Sequence, residues 1–193
     1  MKKIVAFAVF LFVFSLLLYC KEDTAKTEIE KFYENPGKLI EKSYYDIDKL
    51  KGIEFKVLEI KNLVDQSIMY GLYMTSKDFD RRTYTSYLDE DEVETFLASM
   101  KIIQIKVKEP LTVQKEYIYG SKGNMKAGAF MNDSGKWNLF IELDKYRSGS
   151  NVFLKIDEIA GLIFILEKVQ TKILSLKWFL WHSFLNFVFR KDL

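Results

Sequence analysis

One histidine and one cysteine are all that this 193-residue sequence offers toward imidazole, thiol or zinc chemistry. His182 stands among aromatic residues with no Asp or Glu within helical reach, so neither a Ser/His/Asp nor a Cys/His arrangement assembles around it. A zinc site of the usual kind needs several His or Cys ligands, which are missing, and no cofactor is expected. Carboxylates are plentiful. Asp89, Glu90, Asp91, Glu92 and Glu94 form the densest run, but it has neither the central Gly nor the alternating oxygen ligands of a calcium loop. Its simpler job is to cap a helix and complement its dipole. Gly120-Ser121-Lys122-Gly123-Asn124 lacks the spacing and the strand-to-helix setting of a phosphate-cradling loop and reads as the flexible approach to a strand. A pair among Asp78, Asp80, Glu142 and Asp144 could cleave a glycosidic bond if a cleft held two of them about 5 to 10 Å apart. A candidate binding surface comprises Arg81, Arg82, Tyr84, Tyr117, Tyr119, Lys126 and Trp137, basic and aromatic residues able to stack on bases or sugars.

The cysteine has a different use. Lys2 and Lys3 precede an apolar run from Ile4 to Tyr19 that only Ser15 interrupts, which is the order of a secretory signal. The run is slightly short for a bilayer span of about 20 residues, and Cys20 closes it. Leu17-Leu18-Tyr19-Cys20 resembles the lipobox of bacterial lipoproteins, although Tyr19 stands where that motif usually carries Gly, Ala or Ser. The resemblance implies removal of residues 1–19 and a diacylated Cys20 as the first residue of the mature chain. Lys21-Glu22-Asp23 is similar to the short acidic signal that sends some Bacteroidota lipoproteins to the outer surface, which implies a place in the cell envelope, at the outer membrane in that case. An ordinary cleaved signal and an uncleaved N-terminal anchor are the alternatives. Two acyl chains give lasting attachment. Loss of Lys2 and Lys3 reduces 29 basic side chains to 27, matching the 27 acidic ones, so the mature chain has no electrostatic footprint for nucleic acid.

These residues need elements to position them. After a tether and short helices over residues 20–51, Ile29, Phe32 and Tyr33 predict a helix ending at Asn35-Pro36-Gly37, and a second short helix is expected over Lys38 to Tyr44. An α+β domain spans 52–173. In its first unit, 52–108, alternation predicts strands over Ile53 to Ile60, Ile68 to Met74 and Arg81 to Leu88. Asp89 then offers an N-cap with Glu92 three residues on, followed by Val93, Phe96, Leu97 and Met100 at helical spacing. Further strands are expected at Ile102 to Val107 and Val113 to Tyr119, turning near Pro110. The second unit, 113–173, offers strands at Met125 to Met131, Lys136 to Leu143 and Asn151 to Leu154, then a helix carrying Ile159, Leu162, Ile163 and Leu166. Shifting the sequence by 66 residues lays Tyr87-Leu88 on Phe153-Leu154, Asp91-Glu92 on Asp157-Glu158 and one apolar stripe on the other. The expected fold is therefore an internal duplication of a three-strand-plus-helix unit, an antiparallel sheet with helices packed on one face. Convergence on a common strand-helix pattern is the alternative.

Residues 174–193 change texture, with Trp178, Phe179, Trp181, Phe184, Phe187 and Phe189 in twenty positions. Insertion at a membrane surface, packing into the core and an aberrant end of the reading frame are the three readings of this segment.

From about residue 50 to 173 the chain resembles small exported proteins of Bacteroidota, on the residues Tyr84 to Glu92, Lys126-Ala127-Gly128 and Gly135-Lys136-Trp137. That resemblance implies no activity. The architecture is also similar to the tandem whirly-type units of some single-strand nucleic-acid binders, a likeness of fold alone. The expected role is a membrane-anchored, non-enzymatic binding or envelope structural domain. Its partners would be membrane lipid through the anchor, and a glycan or an envelope protein, without nucleic acid or metal. A carboxylate-dependent glycan hydrolase is the alternative.

Overall fold

The structure, a computed structural model, describes residues 26–110, 113–144, 146–147 and 149–189, with backbone alone for residue 180 and residues 183–189. Residues 1–19, Cys20 and the last four residues lie outside it.

The chain runs through a short helix, then twice through a four-strand meander followed by a long helix. Helix α1 is Glu28–Glu34, and strands β1 Ile40–Leu50, β2 Ile53–Asn62, β3 Ile68–Lys77 and β4 Thr83–Asp89 lead into helix α2, Glu90–Lys106. Strands β5 Glu116–Gly120, β6 Lys126–Met131, β7 Trp137–Glu142 and β8 Asn151–Lys155 follow. A single 3₁₀ turn, Ile156–Glu158, then opens helix α3, Ile159–Phe189. Each meander is its own antiparallel sheet, in the orders β1-β2-β3-β4 and β5-β6-β7-β8.

The repeat is therefore present as a two-part architecture, with four strands per unit in place of three. The strand missing from the expected first unit is β1, where a helix over Lys38 to Tyr44 was predicted. Lys51 and Gly52, at φ +48° and +83°, make the tight turn that pairs Leu50 with Ile53 and commits the preceding residues to the ladder. β1 is a sheet edge, and its Glu41, Lys42, Asp46, Asp48 and Lys49 are the charges that discourage further pairing there. Those same charges hid the strand pattern. The second correction concerns Ile102 to Val107, expected as a strand. Ile103 continues the buried series Val93, Phe96, Leu97 and Met100, and packing along that stripe carries α2 through Lys106 despite the β-branched run. The fifth strand begins at Glu116, later than the expected Val113.

The strand-helix junctions repeat in the anticipated register. The Glu92 carboxylate accepts from the Asp89 backbone N–H at 3.0 Å, and Glu158, 66 residues on, accepts from the Lys155 N–H at 2.7 Å. Both are the N3 half of a capping box.

A single core joins the two units. Ile53, Phe55, Val57, Leu72 and Met74 of the first sheet meet Ala127, Ala129, Leu139 and Ile141 of the second through the buried stripes of both long helices. Helix α3 lies over β1, β2 and β3 and alongside α2, whereas α2 touches both sheets. Helices do not keep to one face, however. On the outer side of the first sheet, α1 sets Ile29 against Leu58 and Ile60 in a second small core. Gly71 makes this approach possible, because a Cβ there would collide with the Ile29 Cδ1 methyl and the Leu88 carbonyl. No helix among the described residues is long and apolar enough to cross a membrane.

Candidate functional site: the cleft where the helices start

A cleft of about 660 Å³ lies where the start of α1, the start of α2, the beginning of β3, the β5–β6 turn and the later part of α3 converge. Its lining includes Glu28, Asp89, Glu90, Asp91, Lys122 and Lys177. Local sequence explains why acids collect here: they occupy the first turns of two helices, where backbone N–H groups lack partners and the helix dipole favours negative charge.

Asp89, Glu90, Asp91 and the neighbouring Glu92 each have a structural assignment. Asp89 is nearly fully buried, and its two carboxylate oxygens accept from the backbone N–H groups of Glu28 and Ile29 at 2.9 and 3.0 Å. The residue expected to cap only its own helix thus also anchors α1. Thr27 and Glu30 complete that anchorage: the Thr27 hydroxyl oxygen accepts from the Glu30 N–H at 3.1 Å and a Glu30 oxygen accepts from the Thr27 N–H at 2.9 Å. Glu92 is also buried, accepting from Asp89 N–H with one oxygen and from Lys122 N–H, at 2.5 Å, with the other. Burial pushes the Glu92 carboxyl above its usual range, with the two N–H donors opposing that rise. The Lys122 ammonium donates to Asp91 at 2.8 Å and to Asp89 at 3.3 Å. The bond to Asp91 is the main cause of its raised pKa, and the same bond holds Asp91 below its usual value. Lys177 reaches Glu90 at 2.6 Å from the far side of the cleft. The geometry is that of a clamp joining three helices and a hairpin turn.

The glycine-containing segment read as flexible is part of this clamp. The Ser121 hydroxyl accepts from the Met125 N–H at 2.9 Å, Asn124 takes φ +66°, and Glu92 holds the Lys122 amide. Sequence reasoning missed Lys122 and Lys177 as members of one site. Their partners are 31 and 87 residues away, and no local spacing carries that information.

The residues nominated as a binding surface do not form one face. Tyr84 is buried and donates to Asp78 at 3.0 Å. Tyr117 and Trp137 are half-buried on the inner side of the second sheet, stacked with ring centroids 5.4 Å apart. Tyr119 stacks on Phe96 at 4.9 Å and donates to the Glu92 carbonyl. Lys126 projects from the opposite, outer side of the same sheet, because residues alternate along a strand. Arg81 and Arg82 sit in the exposed β3–β4 turn, where Arg82 pairs with Asp80 at 3.3 Å.

The nominated carboxylates lie away from the large cleft. Desolvation is the largest single influence on the Asp78 carboxyl and raises it, but the hydrogen bonds it accepts from the Arg82 N–H at 2.9 Å and from Tyr84 together outweigh that and hold it below its usual pKa. Asp144 caps its own turn, accepting from the Tyr146 N–H at 2.9 Å and pairing with Arg147 at 3.3 Å. His182 lies against Trp178, ring centroids 3.9 Å apart. Among the described residues no group of three or more His, Cys, Asp or Glu side chains is arranged to hold a metal ion.

Comparison with known proteins returns no matching family model and no matching curated sequence.

The outer sheet faces offer a different kind of surface. On the first sheet Tyr33, Tyr87, Tyr73 and Tyr44 form a chain of ring contacts 5.1 to 5.9 Å apart, with the Lys42 ammonium 3.3 Å from the Tyr33 centroid. Helix α1 covers much of that face. On the second sheet Phe130, Phe140 and Phe153 cluster with centroids 6.1 to 6.2 Å apart, beside Ile118. The strand registers make Phe140 and Phe153 the counterparts of Tyr73 and Tyr87. No described helix covers them, and Ile118 and Phe153 are 56% and 63% exposed.

Proposed function

We propose that this chain is an exported protein of the bacterial cell envelope, held to a membrane by acylated Cys20, and that its body is a non-enzymatic binding domain built by duplication of one meander-plus-helix unit. The anchor rests on the order of charge, apolar run and sole cysteine. The binding role is carried by one observation: among the described residues no helix covers the aromatic outer face of the second sheet, whereas its counterpart in the first unit is roofed by α1. Aromatic rings at the centre with Lys126, Asn138 and Glu142 around them on the same face make an apolar patch with a polar rim, which fits an envelope protein. The engagement of Asp89, Glu90, Asp91 and Glu92 in caps and ion pairs supports a structural use of the acidic cleft.

Two measurements on the full membrane-extracted chain test the reading. Intact mass is expected to show a chain beginning at Cys20 with acyl mass added, and a chain retaining residues 1–19 or an unmodified Cys20 overturns the anchor. A panel of chromogenic glycosides is expected to give no turnover. Hydrolysis abolished by changing Asp78, Asp80, Glu142 or Asp144 to its amide would establish the hydrolase instead.

A further inference from the structure

Helix α3 outruns the body of the protein. It packs antiparallel to α2, as the pairs Lys101–Glu167 and Lys177–Glu90 show, so beyond Lys177 it passes the start of α2 and leaves the fold. The twelve residues after Lys177, ending at Phe189, extend about 18 Å at 1.5 Å per residue. The outward face of α3 changes along its length. Over the body it carries Glu167, Lys168 and Thr171, and Lys168 shields Phe164 at 4.4 Å. From Leu174 onward the same face carries Leu174, Trp178 and Trp181, at the i, i+4 and i+7 positions of one stripe, about a third of a turn around the helix from the buried Leu162, Leu166, Val169 and Ile173. Trp178, Phe179 and Trp181 are 62%, 67% and 61% exposed. Exposed tryptophans on a projecting helix suit the boundary between headgroups and acyl chains, where an amphipathic ring is stabilised at both ends.

The point at which the chain enters the fold names the occupant. Glu28, at the start of α1, lines the same cleft as Lys177, so the chain enters the fold at the end of the molecule from which α3 departs. Thr27 is already fully buried, and five residues separate Lys26 from Cys20, six steps with a reach of at most about 20 Å when extended. The tether and the projecting helix therefore have similar reach from one end of the body. We propose that the aromatic end of α3 is a second membrane contact, seated at the surface of the bilayer that holds Cys20, so that the domain is oriented on the membrane by two points. This rests on the anchored reading of the chain, but its test is separable.

The probe is the full membrane-extracted chain with Trp137→Phe, reconstituted into vesicles of phosphatidylethanolamine and phosphatidylglycerol with brominated acyl chains and into unbrominated controls. Only Trp178 and Trp181 then report. Bromine in the acyl chains is expected to remove most of their emission. Unchanged emission overturns the contact, whether it is red-shifted as for a solvated ring or blue-shifted as for packing on another copy of the chain. Should Trp137→Phe fail to fold, the wild-type chain serves, with Trp137 inside the second sheet as the unquenched background. Intact mass of the same sample reads the anchor: acylation without quenching refutes the contact alone, and quenching without acylation refutes the anchor alone.

Discussion

Replacing Glu92 by Gln separates two carboxylates that occupy the same place in the two units. Glu92 and Glu158 are both N3 residues reaching back to the N-cap amide, but their surroundings differ. Glu92 is 5% exposed and serves two N–H donors, Asp89 at 3.0 Å and Lys122 at 2.5 Å. Gln has one acceptor oxygen, so its NH₂ group would face one of those donors and leave it unsatisfied in a buried setting. An orphaned buried donor costs about 1–3 kcal/mol. Glu158 is half-buried and serves one exposed amide together with Lys51 at 3.2 Å, so water can replace what Gln loses and the cost should be about 0.5–1 kcal/mol, as for an ordinary cap. Urea unfolding of the two variants at neutral pH measures both numbers. Equal costs, or a larger one for Glu158→Gln, would refute the claim that Glu92 ties the β5–β6 turn to the helix starts.

The pH dependence of the same variant follows from the sign of the Glu92 shift. Its carboxyl is raised in the folded protein by burial, so its contribution to stability is full below the ordinary carboxylate value and is lost as pH rises through the raised value; the gap between wild type and Glu92→Gln should therefore narrow from acid to neutral pH in urea titrations. Asp91 has the opposite sign, being lowered chiefly by the bond from Lys122, so its contribution is full above the ordinary Asp value and is lost as pH falls through the lowered value; Lys122→Met should therefore cost stability at neutral pH, with the difference shrinking toward acid in the same urea titrations. Gly71→Ala forces Ile29 off the sheet and should cost about 1–3 kcal/mol, with hydrogen exchange accelerating in α1 before the long helices. Leu162→Ala empties a fully buried site in the shared core and should cost about 2–5 kcal/mol by the same unfolding assay, so a cost below about 1 kcal/mol would place that stripe outside the core.

Local signals were legible and distant ones were not. The Asp89–Glu92 capping box, the Asn132–Gly135 turn and the stripes of α2 and α3 each lie within a few residues and appear where the sequence placed them. Asp89 also secures α1, but its partners Glu28 and Ile29 lie about 60 residues earlier, and nothing in the spacing of either segment announces the bond. Strand β1 was hidden because an edge strand is charged where an inner strand is apolar, and Ile102 to Val107 misled because β-branched residues favour strands until packing decides otherwise. Tyr84, Tyr117, Tyr119 and Trp137 were read as a surface because aromatic residues on strands are equally suited to either face. The register alone, through Tyr117 opposite Ala129 and Trp137 opposite Met131, turns them inward.

A repeat in sequence need not be a unit of folding, and the placement of α3 shows why. If each helix covered the sheet that precedes it, either half could bury its own core. Here α3 belongs in sequence to the second meander and lies across β1, β2 and β3 of the first, while α2 touches both sheets. Leu162, Leu166 and Val169 are fully buried in the core they share with Phe55 and Val57. Removing α3 would therefore uncover the inner face of the sheet that was completed before it in the chain. The second meander would meanwhile retain a share of α2. The exchange of helices makes stability a property of the pair of units, and it also fixes the direction in which α3 runs. Because α3 must lie antiparallel to α2 to reach the first sheet, its aromatic end is delivered to the side of the molecule where the chain enters. The same packing that closes the core thus sets the geometry on which the proposed two-point membrane contact depends.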